Sequence, residues 1–200
     1  MRIFKIIMLT LLFLLMAAIP VLAAKDSLAG KTSEDVSVWG VDLRSTQIYG
    51  NQGLLLGGFD GWKINDSLLI GTEGYILLNP IQAPNAVQNY TLLYNIGLAY
   101  GGLKCEYNLN PGKSIHFSGD LLAGVGYVKY VASDYNFSAG SGGICFVVEP
   151  GVNAMLKFTD STQVGLGISY RLVSGLKING LTDSDLTGVS VNLIIRYLEF

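Results

Sequence analysis

Residues 163–173 read QVGLGISYRLV, and the alternation in this stretch decides the fold. Valine, leucine, isoleucine and tyrosine fill the even positions from Val164 to Leu172, whereas the odd positions from Gln163 to Arg171 hold polar residues or glycine. Successive side chains of a β-strand point to opposite faces of the sheet. This period of two therefore predicts a strand with one apolar face.

The same period recurs from residue 36 to the C-terminus and predicts an all-β chain of eight antiparallel strands. Each strand is near or above the roughly 9–11 residues that a tilted strand needs to cross a bilayer. The predicted strands are Val36–Ile48, Gln52–Ile64, Leu68–Leu78, Tyr90–Tyr107, Ser114–Val131, Ile144–Phe158, Thr162–Val173 and Gly188–Glu199.

The connections between the strands differ in length on the two sides of the predicted barrel. One side has short turns rich in residues that favour tight turns: Asn65-Asp66, Asn108–Lys113 and Thr159–Ser161. The other side has the short Tyr49–Asn51 connection and three longer loops: Asn79–Asn89, Ala132–Gly143 and Ser174–Thr187. This asymmetry is typical of up-and-down outer-membrane barrels, whose turns are periplasmic and whose loops are extracellular.

The N-terminal segment is predicted to lie outside the barrel. Arg2 and Lys5 precede an apolar run that ends in small residues, which is the layout of a cleaved secretory signal peptide over residues 1–23. A polar, flexible leader is expected at 24–35, followed by a single barrel domain at 36–200. An uncleaved membrane anchor is the other interpretation of the apolar run, and the small residues at its end favour cleavage.

The composition limits the classes of partner. The 200 residues carry a formal net charge of −2 with scattered Lys and Arg, so no nucleic-acid surface is predicted. Hydrophobic residues make up 50% of the chain, yet after the N-terminal run no apolar stretch reaches the roughly 18 residues of a membrane helix. Such a chain needs another way to cover its apolar surface, and a closed barrel provides one.

The two faces of the strands distinguish a membrane barrel from a soluble one. In a soluble lipocalin-like barrel the apolar face forms the core, and the outside is charged. Here the second face is mostly glycine, serine and asparagine, and charged residues are scarce for a soluble surface. We therefore expect the aliphatic face, which in residues 90–100 is the even one, to contact lipid. Five tyrosines are expected at its interfaces: Tyr94, Tyr100, Tyr127, Tyr170 and Tyr197.

The C-terminal strand VSVNLIIRYLEF (189–200) and the hairpin LLLGGFDGWKINDSLLIGTEGYIL (54–77) carry a family resemblance. In pattern, most of the mature chain resembles the small eight-stranded outer-membrane β-barrels of OmpA/OmpX type. The resemblance implies a monomer in the bacterial outer membrane, in contact with its lipid. It also implies that the barrel-assembly machinery reads the C-terminal strand with Phe200, although Phe200 shares the parity of Arg196 and Leu198 rather than that of the apolar face.

Few residues are candidates for chemistry. Some barrels of this size are lipid A-modifying enzymes that use a histidine near the outer leaflet, and His116 is the only histidine here. The predicted topology places it beside a periplasmic turn, facing inward with Glu106 or Lys104 as neighbours. It therefore lies at the wrong end of the barrel for a general base acting on lipid A. No catalytic residue, cofactor or metal site is predicted.

Charged residues within strands are expected in the lumen, because Lys or Arg facing lipid at mid-depth costs roughly 2–4 kcal/mol. A three-residue turn at Thr159–Ser161 keeps the inward faces of the sixth and seventh strands aligned and sets Asn153 opposite Gly167. The same register sets Glu149 opposite Arg171. We predict a luminal ion pair between these two side chains.

Eight strands leave a lumen filled by side chains, which argues against a porin. The sequence therefore predicts a bacterial outer-membrane barrel with a structural or surface-interaction role through its extracellular loops. Two alternatives stay open from the sequence. A lipid A-modifying enzyme is marked by a His or Ser cluster at the outer rim, and a soluble exported lipocalin-like binder is marked by an apolar lumen.

Overall fold

The computed structural model describes residues 36–84, 93–132 and 139–199, so the predicted signal peptide, the leader and Phe200 lie outside the described residues. The strands are β1 Ser37–Ile48, β2 Asn51–Lys63, β3 Leu68–Leu77, β4 Ile81–Gln82, β5 Tyr94–Leu109, β6 Ile115–Ala132, β7 Ala139–Lys157, β8 Thr162–Ser174 and β9 Gly188–Glu199. The short helix α1 spans Asp183–Leu186. No helix in these three segments is long and apolar enough to cross a membrane.

The sheet closes on itself into a barrel of eight long antiparallel strands, counted over the described residues. β1 pairs with β9, with Trp39 opposite Tyr197. β3 pairs directly with β5, with Gly74 opposite Gly101, and the two-residue β4 adds to the outer part of β5. Closure gives each wall strand a partner on both sides and removes open edges. The predicted eight-stranded up-and-down barrel is confirmed.

The predicted strand boundaries differ most on the side of the long loops, which we call the outer end. β7 begins at Ala139, ahead of the predicted start at Ile144, so part of the predicted loop Ala132–Gly143 is strand. β5 is described from Tyr94 onward, and its predicted start at Tyr90 lies outside the described residues.

The connection between β8 and β9 folds back over the outer mouth of the barrel. We call residues 175–187 the outer plug. Leu181 of the plug is 4% exposed and Leu186 is fully buried. The Tyr130 hydroxyl of β6 donates to the Asn179 carbonyl at 2.5 Å. The loop predicted at Ser174–Thr187 is therefore a folded cap that packs into the lumen.

The exterior of the barrel is apolar. Leu103, Phe146 and Leu166 are 68%, 66% and 63% exposed. At the turn side, which we call the inner end, Trp39 and Tyr197 contact each other with ring centroids 5.4 Å apart. An apolar exterior around a lumen with charged residues reverses the layout of a soluble barrel. The lipocalin-like alternative does not fit this arrangement.

The predicted outward face of β5 is wrong. Ile96, Leu98 and Tyr100 point into the lumen and are at most 5% exposed. Lys104 and Glu106 share their parity and are buried in the lumen as well, and this fixes the orientation of the whole strand. Three of the predicted interfacial tyrosines do point outward: Tyr127, Tyr170 and Tyr197.

Candidate functional site: the luminal charge network

The lumen has three layers along the barrel axis. The outer layer is an apolar cluster that includes Leu55, Val128 and Leu186 of the plug. The inner layer is a smaller apolar cluster around Phe59 and Leu69. Buried charged side chains lie between the two layers, and we call them the luminal belt. The belt consists of Asp42, Arg44, Glu73, Lys104, Glu106, Asp120, Glu149, Arg171 and Arg196.

Arg44 of β1 lies at the centre of the belt. Its Nε is 2.9 Å from Oδ2 of Asp42, and its Nη2 is 3.5 Å from Oε2 of Glu73. Its Nη1 reaches across the lumen to 2.5 Å from Oε1 of Glu149, without hydrogen-bond alignment, so this attraction is electrostatic. The guanidinium also lies 3.9 Å from the centre of the Tyr75 ring. One arginine thereby connects β1, β3 and β7.

A second set of ion pairs extends the belt toward the inner end. Lys104 Nζ is 2.7 Å from Oε1 of Glu73 and 3.6 Å from Oδ2 of Asp120. Arg196 donates through Nη1 and Nη2 to the two carboxylate oxygens of Glu106, at 2.6 and 2.5 Å. Bidentate pairs of this kind are strong and geometrically specific. Because β5 and β9 are opposite walls of the barrel, this pair braces the barrel across its width.

Two tyrosines join the belt to the outer apolar cluster. The Tyr75 hydroxyl donates to Oδ2 of Asp42 at 2.7 Å, and the Tyr100 hydroxyl donates to Oε2 of Glu149 at 2.9 Å. Their rings stack with centroids 5.1 Å apart. Gly57 makes room for this stack, since a Cβ at that position would overlap the Tyr75 ring.

The predicted Glu149–Arg171 ion pair is not formed as a direct contact. The predicted register is correct, because Asn153 lies opposite Gly167 and both charged side chains are buried in the lumen. Glu149 is instead held by Arg44 and by hydroxyl donors, one of them Ser169 at 2.6 Å. The strand register predicts only which residues are neighbours on adjacent strands, whereas Arg44 reaches Glu149 from across the lumen.

Arg171 holds the outer plug rather than a carboxylate. Its Nε donates to the Leu186 carbonyl at 2.8 Å, and its Nη2 is 3.5 Å from the Thr46 hydroxyl. The guanidinium also lies 5.5 Å from the Tyr100 ring centre. Arg171 therefore connects the wall to the plug that closes the outer mouth.

A double-mutant cycle distinguishes these two arrangements. We expect Arg44→Met and Glu149→Gln to couple by about 1–3 kcal/mol, because the two groups are in contact. Arg171→Met and Glu149→Gln are expected to couple by less than about 0.5 kcal/mol. The free energies of unfolding from urea titrations measure both couplings. A coupling of Glu149 to Arg171 that exceeds its coupling to Arg44 would support the predicted Glu149–Arg171 ion pair instead.

His116 lies at the inner end of the lumen, opposite Met155. It is 3% exposed and faces inward, as predicted. Its predicted neighbours Glu106 and Lys104 are bound to other charges, and within the described segments its Nδ1 has no hydrogen-bond partner. The same segments contain no group of three or more His, Cys, Asp or Glu side chains arranged to hold a metal ion.

Asp42 and Arg44 are central to the belt but absent from the predicted site. The sequence VDLRST (41–46) does indicate their orientation, because Asp42 and Arg44 alternate with the apolar, outward Val41 and Leu43. This parity predicts that both charges face the lumen. It does not identify partners on β3 and β7, which are distant in sequence.

The sequence matches no protein-family model and no curated protein. Its structure is similar to the crystal structure of Neisserial surface protein A (NspA), with a TM-score of 0.57 at 13% identity, over 82% of this chain and 96% of that chain. The fold is that of the small outer-membrane β-barrels. At this identity the similarity shows the fold alone.

Two further solved barrels are similar to this chain. The N-terminal β-barrel domain of Pseudomonas aeruginosa OprF has a TM-score of 0.49 at 12% identity, over 82% of this chain and 97% of that chain. Ail, the attachment invasion locus protein of Yersinia pestis, in complex with the heparin analogue sucrose octasulfate, has a TM-score of 0.48 at 13% identity, over 83% of this chain and 99% of that chain.

Proposed function

We propose that this chain is a monomeric bacterial outer-membrane barrel with a closed lumen, which serves a structural or surface-interaction role through its outer loops. The observation that carries the proposal is the inside-out distribution of side chains. Large apolar residues cover the exterior, and ion-paired charges fill the middle of the lumen. In water this exterior would expose apolar surface far beyond that of ordinary monomers, whereas lipid covers it.

The closed lumen supports a structural role rather than transport. Apolar clusters lie on both sides of the luminal belt, and the outer plug contributes Leu181 and Leu186 to one of them. Eight-stranded barrels are narrow enough for side chains to fill. Insertion through the assembly machinery, read from the C-terminal strand and Phe200, is part of the proposal.

Cell fractionation and bilayer recording test the proposal together. The mature chain is expected in the outer-membrane fraction, with a gel mobility that shifts on heating, because a folded barrel resists detergent until it is boiled. In planar bilayers it is expected to give no stable stepwise conductance. A soluble periplasmic chain would refute the membrane location, and porin-like steps would refute the closed lumen.

The topology predicts opposite labelling of the two ends on intact cells. An epitope inserted after Ser174, where the outer plug begins, is expected to bind antibody, because long loops of such barrels are extracellular. The same epitope at Asp66, in the β2–β3 turn, is expected to bind only after permeabilisation. Surface labelling at Asp66 alone would reverse the orientation.

A further inference from the structure

A shallow trough crosses the exterior of the barrel over β2, β3, β5 and β6. Its floor is formed by Gly58, Gly74 and Gly101, which lie opposite one another on adjacent strands. The trough joins two depressions of about 700 and about 770 Å³, both lined by Gly58 and Gly74.

The inner end of the trough carries a charge. Asp60 is an exception to the prediction that charged strand residues face the lumen. It points outward next to Gly58 on the same face, opposite Trp39 on β1 and Thr72 on β3. Trp62 shares this face and is 58% exposed, and Trp39 is 49% exposed. Within the described segments no hydrogen bond or ion pair holds the Asp60 carboxylate.

These residues match the chemistry of a primary ammonium group. A carboxylate and a neighbouring hydroxyl accept hydrogen bonds from an ammonium, and indole faces attract cations. Tryptophan is enriched at the headgroup level of a membrane, which puts Asp60 at that level too. From Asp60 the apolar trough runs toward the outer end, past Leu56 and Ile76, as a lipid tail would run from an inner-leaflet headgroup.

We propose that the trough binds one phospholipid of the periplasmic leaflet through a primary ammonium headgroup, with an acyl chain over the three floor glycines. The proposal rests on the membrane location given under Proposed function. It identifies an ethanolamine phospholipid as the ligand, because choline has no N–H to donate and a glycerol headgroup leaves the lipid with a net negative charge that Asp60 repels.

A second copy of the chain fits the trough less well. Two-fold dimers use the same patch on both subunits. Such a dimer over this trough brings two Asp60 carboxylates toward one another, where like charges repel. The charge at the inner end therefore favours a cationic headgroup over a second barrel.

Native mass spectrometry of the full mature protein tests the site. The protein is released from micelles that contain equal amounts of phosphatidylethanolamine, phosphatidylglycerol and phosphatidylcholine. The wild type is expected to retain one phosphatidylethanolamine. Asp60→Asn is expected to reduce that retention about fivefold, as for loss of one partly screened ion pair. Asp66→Asn, in the turn of the same hairpin, is the matched control and is expected to retain the lipid as the wild type does.

Gly74→Val tests the floor of the trough separately from the charge. A Cβ at Gly74 meets its nearest atom, the Tyr100 carbonyl oxygen, at 3.6 Å, so the wall accommodates it. The variant is expected to lose the bound lipid and to keep the heat-dependent gel shift of the wild type.

Three results would overturn the lipid site. They are equal retention of the three lipids, wild-type retention by Asp60→Asn, and a dimer peak that Gly74→Val abolishes, which would assign the trough to a second copy. A chain missing from the outer-membrane fraction would instead reject the membrane location itself, so the two failures are distinguishable.

Discussion

Replacing Arg44 with methionine is expected to lower the free energy of unfolding by roughly 3–5 kcal/mol, the range for removing one partner of a buried ion pair. Arg44 contacts Asp42, Glu73 and Glu149, whose side chains are at most 3% exposed. Its loss leaves carboxylates in the lumen without their shared cation. Methionine keeps an unbranched aliphatic side chain, so most of the change in the free energy of unfolding is due to the missing charge.

Urea unfolding of the protein in micelles, followed by tryptophan fluorescence, measures this change. Trp39 and Trp62 are the only tryptophans, and both lie on the exterior near the inner end. Lys177→Met removes an exposed cation from the outer plug and is the matched control, expected to shift the free energy by no more than about 0.5 kcal/mol. An Arg44→Met protein with the wild-type midpoint would show that the luminal belt does not hold the barrel together.

Much of the fold was predictable because its signals are local. In β9, the odd positions from Val189 to Tyr197 are all apolar, and the structure places those side chains outside. The even positions between them hold Ser190, Asn192 and Arg196, with Ile194 as the one apolar residue among these inward positions. The orientation of β5 was not predictable from hydrophobicity, because the outer layer of the lumen is itself apolar. Ile96 and Leu98 fill that region. Only the charges further along the strand, at Lys104 and Glu106, distinguish its two faces.

The alternation of residues predicts which charged side chains face the lumen, but it does not predict which of them contact each other. Arg196 and Glu106 are 90 residues apart, and Arg44 reaches Glu149 from another wall of the barrel. These contacts exist because closure brings opposite walls together, and the width and stagger of the closed barrel decide which charges meet. A register derived from one hairpin, such as the one that set Glu149 opposite Arg171, describes only neighbours within the wall.

Replacing Gly124 with valine is expected to prevent closure of the barrel between β5 and β6. Gly102 and Gly124 lie opposite each other, and the alternation of both strands points them into the lumen. A Cβ on Gly124 would lie 2.6 Å from the Cα of Gly102, closer than the 3.0 Å that real Cβ contacts keep. The obstacle is backbone, which cannot rotate aside as a side chain does. The free energy of unfolding is therefore expected to fall by at least about 3 kcal/mol, the upper end of the usual range for overpacking.

Gly119→Val on the same strand is the matched control for this effect. Gly119 faces outward, and a Cβ there meets its nearest atom, the Gly151 carbonyl oxygen, only at 4.0 Å. Valine favours strands more than glycine does, so strand propensity alone would predict that valine at either position, 119 or 124, increases stability. Gly119→Val is expected to keep the heat-dependent gel shift, and Gly124→Val to run as the unfolded form without heating. A normal shift for Gly124→Val would mean that the wall widens at this point, and that barrel closure does not depend on the opposed glycines.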